Sequence, residues 1–387
     1  MDKELLEKLK KEIEKVLPDV KSFRHRLHEE PEVALAEHLT QQKILKFIDT
    51  LPLDLHKPYI GTDVVADLSG KTDRMVVLRA DIDALPMTEE TGADYSSKIK
   101  GMMHACGHDG HTAILAGTAR VLSALQKELP VSVRFVFQPG EERVAAGKKL
   151  VAAGALGNAE AAFALHGWPG LPVSAIQSRS GVFYAAGSSF AVDIIGKGCH
   201  GAKPENGINP IPMAGKLVHE LYKIHQREHS KDGSVITVCV VNSGTLSNII
   251  PDKARIAGTV RFLEEARGDV LEKMIRDAAA EAVAGTGATA VVEYTNFYDM
   301  PVINSEDGYQ RIKKAVASVL PSGSFVEAEA PTMGNEDFAF YLKGRKGAMM
   351  GLGQGKDRAV LHNAHYDFND DTIATGILMF CTLILEY

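Results

Sequence analysis

Cysteine is scarce in this chain of 387 residues, and its cysteines are far apart in the sequence. There are four: Cys106, Cys199, Cys239 and Cys381. Small secreted domains use closely spaced cysteines to staple a fold with an insufficient core, whereas a chain of this length can bury a core without them. The spacing therefore argues against a disulfide framework, and the strand and helix patterns around Cys239 and Cys381 are typical of small core residues.

The chain also lacks a basic cluster and a long apolar run. It carries 43 Lys and Arg against 50 Asp and Glu, a net charge of −7, which offers no patch for nucleic acid or an anionic membrane. The first twenty residues have a charged amphipathic pattern without the apolar centre of a secretory signal. The longest apolar run, 376–385, is too short to span a bilayer and is typical of a buried terminal helix. We therefore expect a cytoplasmic protein that binds neither nucleic acid nor membrane.

The length of the chain predicts two domains, because one hydrophobic core usually divides above roughly 250–300 residues. Strand and helix patterns alternate through 60–180, with strands at 75–80, 131–137 and 161–166 and helices at about 111–126 and 141–153. This alternation predicts an α/β domain with a mostly parallel sheet covered by helices. In such a sheet the functional side chains lie at the carboxyl ends of the strands.

Long strands with two helices replace this alternation at 183–295. The order β-α-β-β-α-β is typical of a ferredoxin-like α+β unit. Alternating helix and strand return after about residue 300. We therefore predict a catalytic domain made of 1–182 and 296–387, with an inserted domain at 183–295.

The segment MHACGHDGH at 103–111 indicates metal chemistry. It places His104, Cys106, His108 and His111 within a few residues of a glycine-broken turn. Thiolate and neutral imidazole suit zinc, manganese or cobalt, and the spacing of Cys106 and His108 lets one turn supply two side chains to one cation cluster. One segment cannot complete such a site. The remaining ligands are therefore expected from 138–142, 164–167 and 361–363.

The acidic candidates also have an ordinary structural interpretation. Asp81 and Asp83 follow a buried strand, where they can cap the turn before Pro86. Glu141 and Glu142 begin a predicted helix, where first-turn acids suit the helix dipole. Beside a metal cluster, however, an adjacent pair favours one carboxylate ligand and one free carboxylate that takes a proton from water.

The remaining candidates are similarly open to two interpretations. His166 ends an apolar strand, where a core histidine is usual, and His362 precedes an Asn-containing turn. In the inserted domain, His200 lies in a glycine-flanked loop, where a solvated histidine is usual. Asn248 and Arg261 follow it, and an arginine on an alternating strand usually faces solvent. A guanidinium is, however, also a natural bidentate partner for a substrate carboxylate.

Ten segments in order run through nearly the whole chain. They are RHRLHEEPEVALAEHLT (24–40), RADIDALPMTEETG (79–92), MHACGHDGHTAILAGTA (103–119), FQPGEE (137–142), ALHGWP (164–169), GKGCHGAKP (196–204), NIIPD (248–252), GTVRF (258–262), MGNEDFAFY (333–341) and LHNAHYDFND (361–370). Taken together, they resemble the aminoacylase and glutamate-carboxypeptidase family of co-catalytic metallohydrolases. The resemblance is to its amidohydrolase branch, which includes hippurate hydrolases and indole-acetyl-amino-acid hydrolases.

The resemblance implies a zinc-exopeptidase-like catalytic domain that holds two divalent metal ions per subunit. These would be zinc or manganese, with cobalt or nickel as alternatives. The implied ligands are Cys106, His108, Glu142, His166 and His362. Cys106 would be the bridge between the ions, and Glu141 would be the general base.

The resemblance also implies that the inserted domain is a lid and a dimerisation module, so that the protein forms a homodimer through it. His200 resembles the residue that reaches a partner subunit's site to steady an oxyanion. Asn248 and Arg261 match the positions that hold the substrate carboxylate.

The chain departs from the family pattern at two places. Many members of the wider family have a His-x-Asp pair where this chain has Asp81-Ile82-Asp83. We therefore do not count Asp81 among the ligands, and we expect Asp83 to orient a metal-bound imidazole. Cys199 stands where the branch commonly has glycine, which places a larger side chain beside His200.

We predict a metal-dependent amidohydrolase that cleaves the amide bond of N-acyl amino acids, acetyl, benzoyl or similar, by metal-activated water with Glu141 as general base. Two alternatives stay open: a dipeptidase or carboxypeptidase of short peptides, and a non-catalytic metal or amino-acid binding protein of the same fold. Retention of Glu141 beside Glu142 argues against the latter, because binding alone needs no free base. A zinc nucleobase deaminase and a His-Glu-x-x-His metalloprotease are excluded because their motifs are absent.

Overall fold

A computed structural model describes residues 1–387, which form ten α-helices and sixteen β-strands. The helices are α1 (Lys3–Glu29), α2 (His38–Ile48), α3 (His108–Ala124), α4 (Glu141–Val144), α5 (Ala146–Ala152), α6 (Pro210–Asp232), α7 (Arg267–Val283), α8 (Glu306–Val319), α9 (Ala339–Leu342) and α10 (Ile373–Leu385). The strands are β1 (Asp54–Leu55), β2 (Val64–Leu68), β3 (Met75–Asp81), β4 (Ser132–Gln138), β5 (Ala161–Pro169), β6 (Ile176–Ser178), β7 (Gly181–Tyr184), β8 (Ala186–Ile195), β9 (Cys199–His200), β10 (Val235–Ser243), β11 (Ile249–Ile250), β12 (Lys253–Phe262), β13 (Thr289–Tyr298), β14 (Val302–Asn304), β15 (Phe325–Glu327) and β16 (Lys346–Gly355). No helix combines the length and the apolar character that crossing a membrane requires.

The chain forms two compact units. The first contains Met1–Phe183, Val302–Ala330 and Asp337–Tyr387, and the second contains Tyr184–Pro301 and Pro331–Glu336. The second unit therefore reaches further than the insertion predicted at 183–295. It takes in the segment from Pro331 because the amide of Ala185 donates a hydrogen bond to the carbonyl of Thr332.

An eight-stranded sheet forms the centre of the first unit, in the order β1-β2-β4-β3-β5-β16-β6-β15. Its central strands β4, β3, β5 and β16 are parallel, and antiparallel pairs join β2 to β4 and β6 to β16. Every residue of β4 is buried, as expected of a strand covered on both faces. Helix α3 is buried along most of its length, and α1 and α10 pack against it. The predicted α/β fold is confirmed.

The second unit contains a four-stranded antiparallel sheet in the order β10-β12-β8-β13. Residues of β12 are alternately buried, and α6 and α7 share one apolar core with the buried face of the sheet. The β-α-β-β-α-β pattern predicted from the sequence is therefore present. A two-stranded ribbon of β9 and β11 extends from this unit.

Two local predictions were wrong. Cys239 is exposed on β10, whereas Cys381 is buried in α10 as predicted. β10 is an edge strand, and its pairing with β12 shifts register beside Cys239, so this part of the strand is not covered. The helix predicted at 141–153 is divided into α4 and α5 because Ala145 has a left-handed backbone with φ of +44°.

Candidate metal centre and active site

Three neighbouring parallel strands bring the candidate side chains to one edge of the large sheet. Asp81 is the last residue of β3, and Asp83 follows it. Glu141 and Glu142 come directly after β4, and His166 lies towards the end of β5. The carboxyl ends of parallel strands meet at one edge, so segments that are far apart in the sequence converge here.

A sharp turn at Gly107 directs Cys106 and His108 into the same space. The φ of Gly107 is +87°, and a Cβ atom at this position would lie 2.6 Å from the hydroxyl oxygen of Tyr366. Only glycine meets both conditions without strain. The ligand atoms of Cys106, His108 and His166 all lie within 4.8 Å of one another, and all three side chains are buried.

Cys106 also belongs to a second group of three donors. Its sulfur, a carboxylate oxygen of Glu142 and a ring nitrogen of His362 lie within 4.8 Å of one another. The Sγ atom of Cys106 is 3.4 Å from Nε2 of His166, and Oε1 of Glu142 is 3.1 Å from Nε2 of His362. Two donor groups that share one sulfur atom fit two neighbouring cations.

One ring nitrogen of His108 is held by the protein while the other faces the centre. Its Nδ1 lies 2.9 Å from the carbonyl oxygen of Asp83. Its Nε2 is buried without a hydrogen-bond partner, 3.7 Å from the Asp81 carboxylate and 3.9 Å from that of Glu142. Burial lowers the pKa of His108, but the neighbouring charges of Asp81, Asp83 and Glu142 raise it to about 10. The surroundings therefore favour positive charge at this point.

The surroundings of Cys106 and His166 also favour bound cations. Burial, together with Glu142 and Glu141, raises the pKa of the Cys106 thiol well above its usual value. Burial lowers the pKa of His166 to about 3, which keeps this imidazole neutral, the form that binds metal. A thiolate among carboxylates is stable only where cations offset the negative charge. The donor set of thiolate, imidazole and carboxylate is thus suited to divalent cations.

His362 has a strained backbone. Its φ of +59° lies in the left-handed region, which is uncommon for a residue other than glycine. Its amide donates a hydrogen bond of 2.8 Å to the carbonyl of Ala105, which ties this loop to the residue before Cys106. Its half-exposed side chain meets the buried carboxylate of Glu142. Strain of this kind persists where the surroundings impose it, often at functional sites.

Asp83 fixes the start of the helix that carries both glutamates. Its two carboxylate oxygens accept hydrogen bonds of 3.0 Å from the amides of Glu141 and Glu142. The same carboxylate lies 3.4 Å from Nδ1 of His108, which is closer to the carbonyl oxygen of Asp83. As a result, carboxylate oxygens of Glu141 and Glu142 lie within 4.8 Å of each other and of a ring nitrogen of His108.

Asp81 and His111 contact each other next to the candidate ligands. One carboxylate oxygen of Asp81 is 2.7 Å from Nδ1 of His111, and the other accepts a hydrogen bond of 2.7 Å from Arg79. The Nε2 atom of His111 accepts the amide hydrogen of Gly167. Both ring nitrogens of His111 are therefore occupied, although it lies in the same histidine-rich segment as His108. His104 is buried as well, but it belongs to none of the donor groups.

The sequence analysis did not identify Asp337, an acidic residue that accepts hydrogen bonds from the strands beneath Asp81 and Glu141. The buried Asp337 carboxylate accepts hydrogen bonds from Arg79 at 2.9 Å, from the Gln138 side chain at 2.7 and 2.8 Å, and from the Gly147 amide at 2.8 Å. It thereby joins the ends of β3 and β4 to the start of α5. The signal was available, because Asp337 lies in the motif MGNEDFAFY.

Within the second unit, His200 and Asn248 are neighbours. β9 pairs with β11 so that His200 lies opposite Ile249, and the carbonyl of Asn248 accepts the amide hydrogen of Gly201 at 2.8 Å. The side chain of His200 is exposed, and its Nδ1 accepts a hydrogen bond of 3.0 Å from the amide of Ala202. In a neutral ring this leaves the proton on Nε2, which is then free to donate.

Arg261 lies on the four-stranded sheet of the same unit. It donates to the carbonyl of Met333 at 3.1 Å and to that of Val260 at 2.9 Å, and it has no carboxylate partner. Partial burial lowers its pKa from the usual value. Its position on β12 is thus only partly exposed, unlike that of a fully solvated arginine.

Known proteins share the sequence pattern and the fold of this chain. Residues 77–386 match the model of peptidase family M20/M25/M40. The chain belongs to this family. It is 38% identical over 366 residues to an N-acetylcysteine deacetylase of Bacillus subtilis, covering 94% of this chain and 95% of the relative. It is 34% identical to the IAA-amino acid hydrolase ILR1-like 2 of Arabidopsis thaliana, covering 94% of this chain and 84% of the relative.

A solved structure has the same fold. A dinuclear metal-binding peptidase of the M20 family from Bacillus subtilis superposes with a TM-score of 0.81 at 33% sequence identity, covering 96% of this chain and 98% of that one. The protein is therefore an M20 hydrolase of the amidohydrolase branch, and it cleaves amide bonds in a metal-dependent reaction. The resemblance inferred from the ten sequence segments is confirmed.

Proposed function

We propose that this M20 hydrolase cleaves N-acyl amino acids, such as N-acetyl or N-benzoyl amino acids, to a carboxylate and a free amino acid. The observation that carries the proposal is the pair of donor groups that share Cys106, with Glu141 beside them. The ligands of two divalent cations, zinc or manganese, are then Cys106, His108, Glu142, His166 and His362. The named activities of the two relatives, on N-acetylcysteine and on IAA-amino acids, support this substrate class. The cytoplasmic location expected from the sequence stays a prediction.

Glu141 is the general base in this proposal. Divalent cations, when bound, polarise an amide carbonyl and lower the pKa of water. Glu141 then accepts the proton of the attacking water and delivers it to the leaving amine. Its buried carboxylate lies beside the donors, and Asp83 holds the helix start that carries it. Glu142, 3.1 Å from His362, serves as a ligand instead.

The second unit supplies the substrate contacts. His200 has its Nδ1 occupied by the amide of Ala202, so its Nε2 presents a hydrogen to a developing oxyanion. A single donor in such a role typically contributes about 10²–10³ in rate. Asn248, beside His200, and Arg261 hold the α-carboxylate of the amino acid. Because Arg261 has no carboxylate partner of its own, its guanidinium is available for this contact.

The protein acts as a homodimer through the second unit. β10 is an edge strand whose outer side has no neighbour in the sheet. Val240 and Val241 on this strand are exposed, as are Ile211 and Tyr222 on α6. A second copy that pairs with β10 would cover this apolar edge, which otherwise favours aggregation. Val241→Asp should then yield monomers in analytical ultracentrifugation, whereas Val291→Asp on the opposite edge strand β13 should not.

The test of the reaction is hydrolysis of a matched panel after metal removal and restoration. The panel pairs N-acetyl and N-benzoyl amino acids with their α-amides and with dipeptides of the same residues. We expect activity to disappear with chelation, to return with manganese or zinc, and to favour the free N-acyl amino acids. Preferential cleavage of dipeptides would favour the peptidase alternative. Absence of hydrolysis across the panel in protein with two bound ions would contradict the proposal.

A further inference from the structure

A fully buried arginine in the first helix contacts two of the segments that carry candidate ligands: the start of α3 beside His108, and the loop that follows His362. Arg24 lies near the end of α1, in the first of the ten sequence segments. Its side chain has no exposed surface, and the proposed reaction does not use it. A buried guanidinium must have several partners, because an unpaired charge in the interior is strongly destabilising. The identity of those partners indicates what it does.

The first partner belongs to the turn that carries Cys106 and His108. Nε of Arg24 donates to Oδ2 of Asp109 at 2.7 Å, and Asp109 is the residue after His108. His28, one helical turn after Arg24, lies 2.8 Å from the same oxygen. The cation Arg24 and the imidazole of His28 together hold the first turn of α3, whose first residue is His108.

The other partners belong to the loop that follows His362. The Nη2 group of Arg24 donates to Asp367, and Nη1 donates to Asp370 at 3.3 Å. The hydroxyl of Tyr95 donates to Asp367 at 2.8 Å, and the guanidinium carbon of Arg24 lies 4.9 Å from the centre of the Tyr95 ring. This end of the loop is therefore anchored by side chains, whereas its start at His362 is anchored by a backbone hydrogen bond to Ala105.

We propose that Arg24 is a positioning residue of the metal centre. One rigid guanidinium holds Asp109, next to His108, and Asp367, five residues after His362, and so sets the separation between the segment of His108 and the segment of His362. The inference rests on the ligand roles proposed above for His108 and His362. It concerns the preorganisation of the site, since Arg24 touches no donor atom of either donor group.

The chemistry of arginine explains why this position is occupied by it. The planar guanidinium directs its N–H groups in fixed directions, so three carboxylates on two segments are held at defined distances. A lysine ammonium carries the same charge as a point without the fork geometry. Arg24→Lys therefore keeps the charge balance of the buried group and removes the geometric constraint.

Direct metal binding by folded, metal-free protein tests the proposal. The probe is Co²⁺, titrated in competition with a chromophoric chelator and followed also by its visible absorption, which reports ligand geometry. The variants are Arg24→Lys and Asp367→Asn; the latter removes the charge of a partly exposed partner in the His362 loop. Residues that hold metal ligands in place typically change metal affinity by roughly 10- to 100-fold when replaced. We expect weakening in that range and an altered Co²⁺ spectrum for both variants.

Arg134→Lys is the matched control. Arg134 is also largely buried and forms two hydrogen bonds to one carboxylate, Asp67, at 2.7 and 2.6 Å, but it contacts neither the segment of His108 nor the loop that follows His362. The Arg134→Lys variant should be less stable than wild type, but its Co²⁺ affinity and Co²⁺ spectrum should be unchanged. Thermal unfolding of all variants separates the loss of stability from the loss of preorganisation.

The outcomes distinguish this inference from the proposed function. If wild-type protein binds no Co²⁺, the metal centre itself is wrong. If wild type binds two ions and the folded Asp367→Asn and Arg24→Lys variants bind them with wild-type affinity and spectrum, the positioning role of Arg24 is overturned. If Arg24→Lys does not fold, Asp367→Asn decides the question alone.

Discussion

The backbone amide of Gly167 donates a hydrogen bond to Nε2 of His111 at 2.8 Å. Because an amide can only donate, Nε2 carries no hydrogen in this ring, and the proton of the neutral form resides on Nδ1. There it faces the carboxylate of Asp81 at 2.7 Å. His111 therefore has no nitrogen left for a cation, and it holds the residue that follows His166.

This relationship predicts different metal contents for two histidine variants. His166→Ala removes a donor and should reduce the bound metal from two ions per chain to one. His111→Ala should retain two ions at saturating metal while losing about 1–3 kcal/mol of unfolding free energy, because the Gly167 amide is left without a partner. Elemental analysis and denaturant unfolding measure the two effects. Loss of an ion from His111→Ala would contradict the supporting role.

Variants of the two adjacent glutamates should distinguish the general base from the metal ligand. Glu141→Gln should keep the metal content nearly unchanged and lower kcat by about 10²–10⁴, the usual contribution of a general base. Glu142→Gln should lose metal as well, because its carboxylate belongs to the donor group of Cys106 and His362. The measurement is metal stoichiometry alongside kcat under metal excess. Equal stoichiometry and equal turnover in both variants would show that the roles are wrongly assigned.

Arg261 should determine the preference for substrates with a free carboxylate. Arg261→Ala removes a charged hydrogen-bonding partner, which corresponds to a rise in KM of about 10- to 100-fold for N-acyl amino acids. The KM for the matching α-amides should change little, because they lack the charge. Arg255→Ala is the control: Arg255 lies on the same strand but pairs with Asp193 at 2.9 Å. A similar loss for acids and amides would count against carboxylate recognition.

The raised pKa of Glu37 predicts that the stability of the protein falls as the pH rises. Burial and the charge of Asp83 raise its pKa from 4.5 to about 7, although it accepts hydrogen bonds from Thr62 and from the amides of Leu35 and Gly140. Because the folded-state pKa is the higher one, the stabilisation by protonated Glu37 is complete below about pH 4.5 and is lost as the pH rises through about 7.

Glu37→Gln should imitate the protonated form, with its amide group directed at Thr62. The variant should therefore be more stable than wild type above pH 7, by up to about 3 kcal/mol, and the difference should vanish towards pH 4.5. Denaturant unfolding of metal-free protein across this pH range is the measurement. Lower stability of Glu37→Gln at pH 8 would indicate that the ionised carboxylate is preferred in the folded state.

Much of this architecture was predictable because local patterns determine it. The strand ends beside Asp81, Glu141 and His166 follow from apolar runs and their breaks, and the parallel order brings them to one edge. The turn between Cys106 and His108 follows from a glycine between two donors.

Other features depend on contacts between distant segments, which no local pattern encodes. The spacing of histidines does not tell which ring nitrogen faces the centre, so His111 and His108 look alike in the sequence. The left-handed backbone of His362 depends on its hydrogen bond to Ala105, and the break at Ala145 interrupts an otherwise helical run. The exposure of Cys239 depends on the order of strands in the second sheet.

If His200 acts across a dimer interface, as the family resemblance implies, two inactive variants should complement each other. His200→Ala and Glu141→Gln should each be nearly inactive as homodimers. In a mixed dimer, one site combines an intact Glu141 with the partner's intact His200, while the other site carries both defects. Because only one of the two sites is intact, activity should recover to at most about half of wild type per mixed dimer. The site with both defects should add nothing, since residues that act as one unit are not additive.

The control separates subunit exchange from catalysis. Two differently tagged wild-type samples, mixed in the same way, establish that dimers exchange, and tandem purification isolates the mixed species. Glu141→Gln mixed with Glu142→Gln should recover nothing beyond the sum of its parents if Glu141 and Glu142 serve the same site within one chain. Recovery only in the His200 mixture requires that His200 and Glu141 of one functional site come from different chains. No recovery after verified exchange would count against action in trans, and a fully active monomer would rule it out.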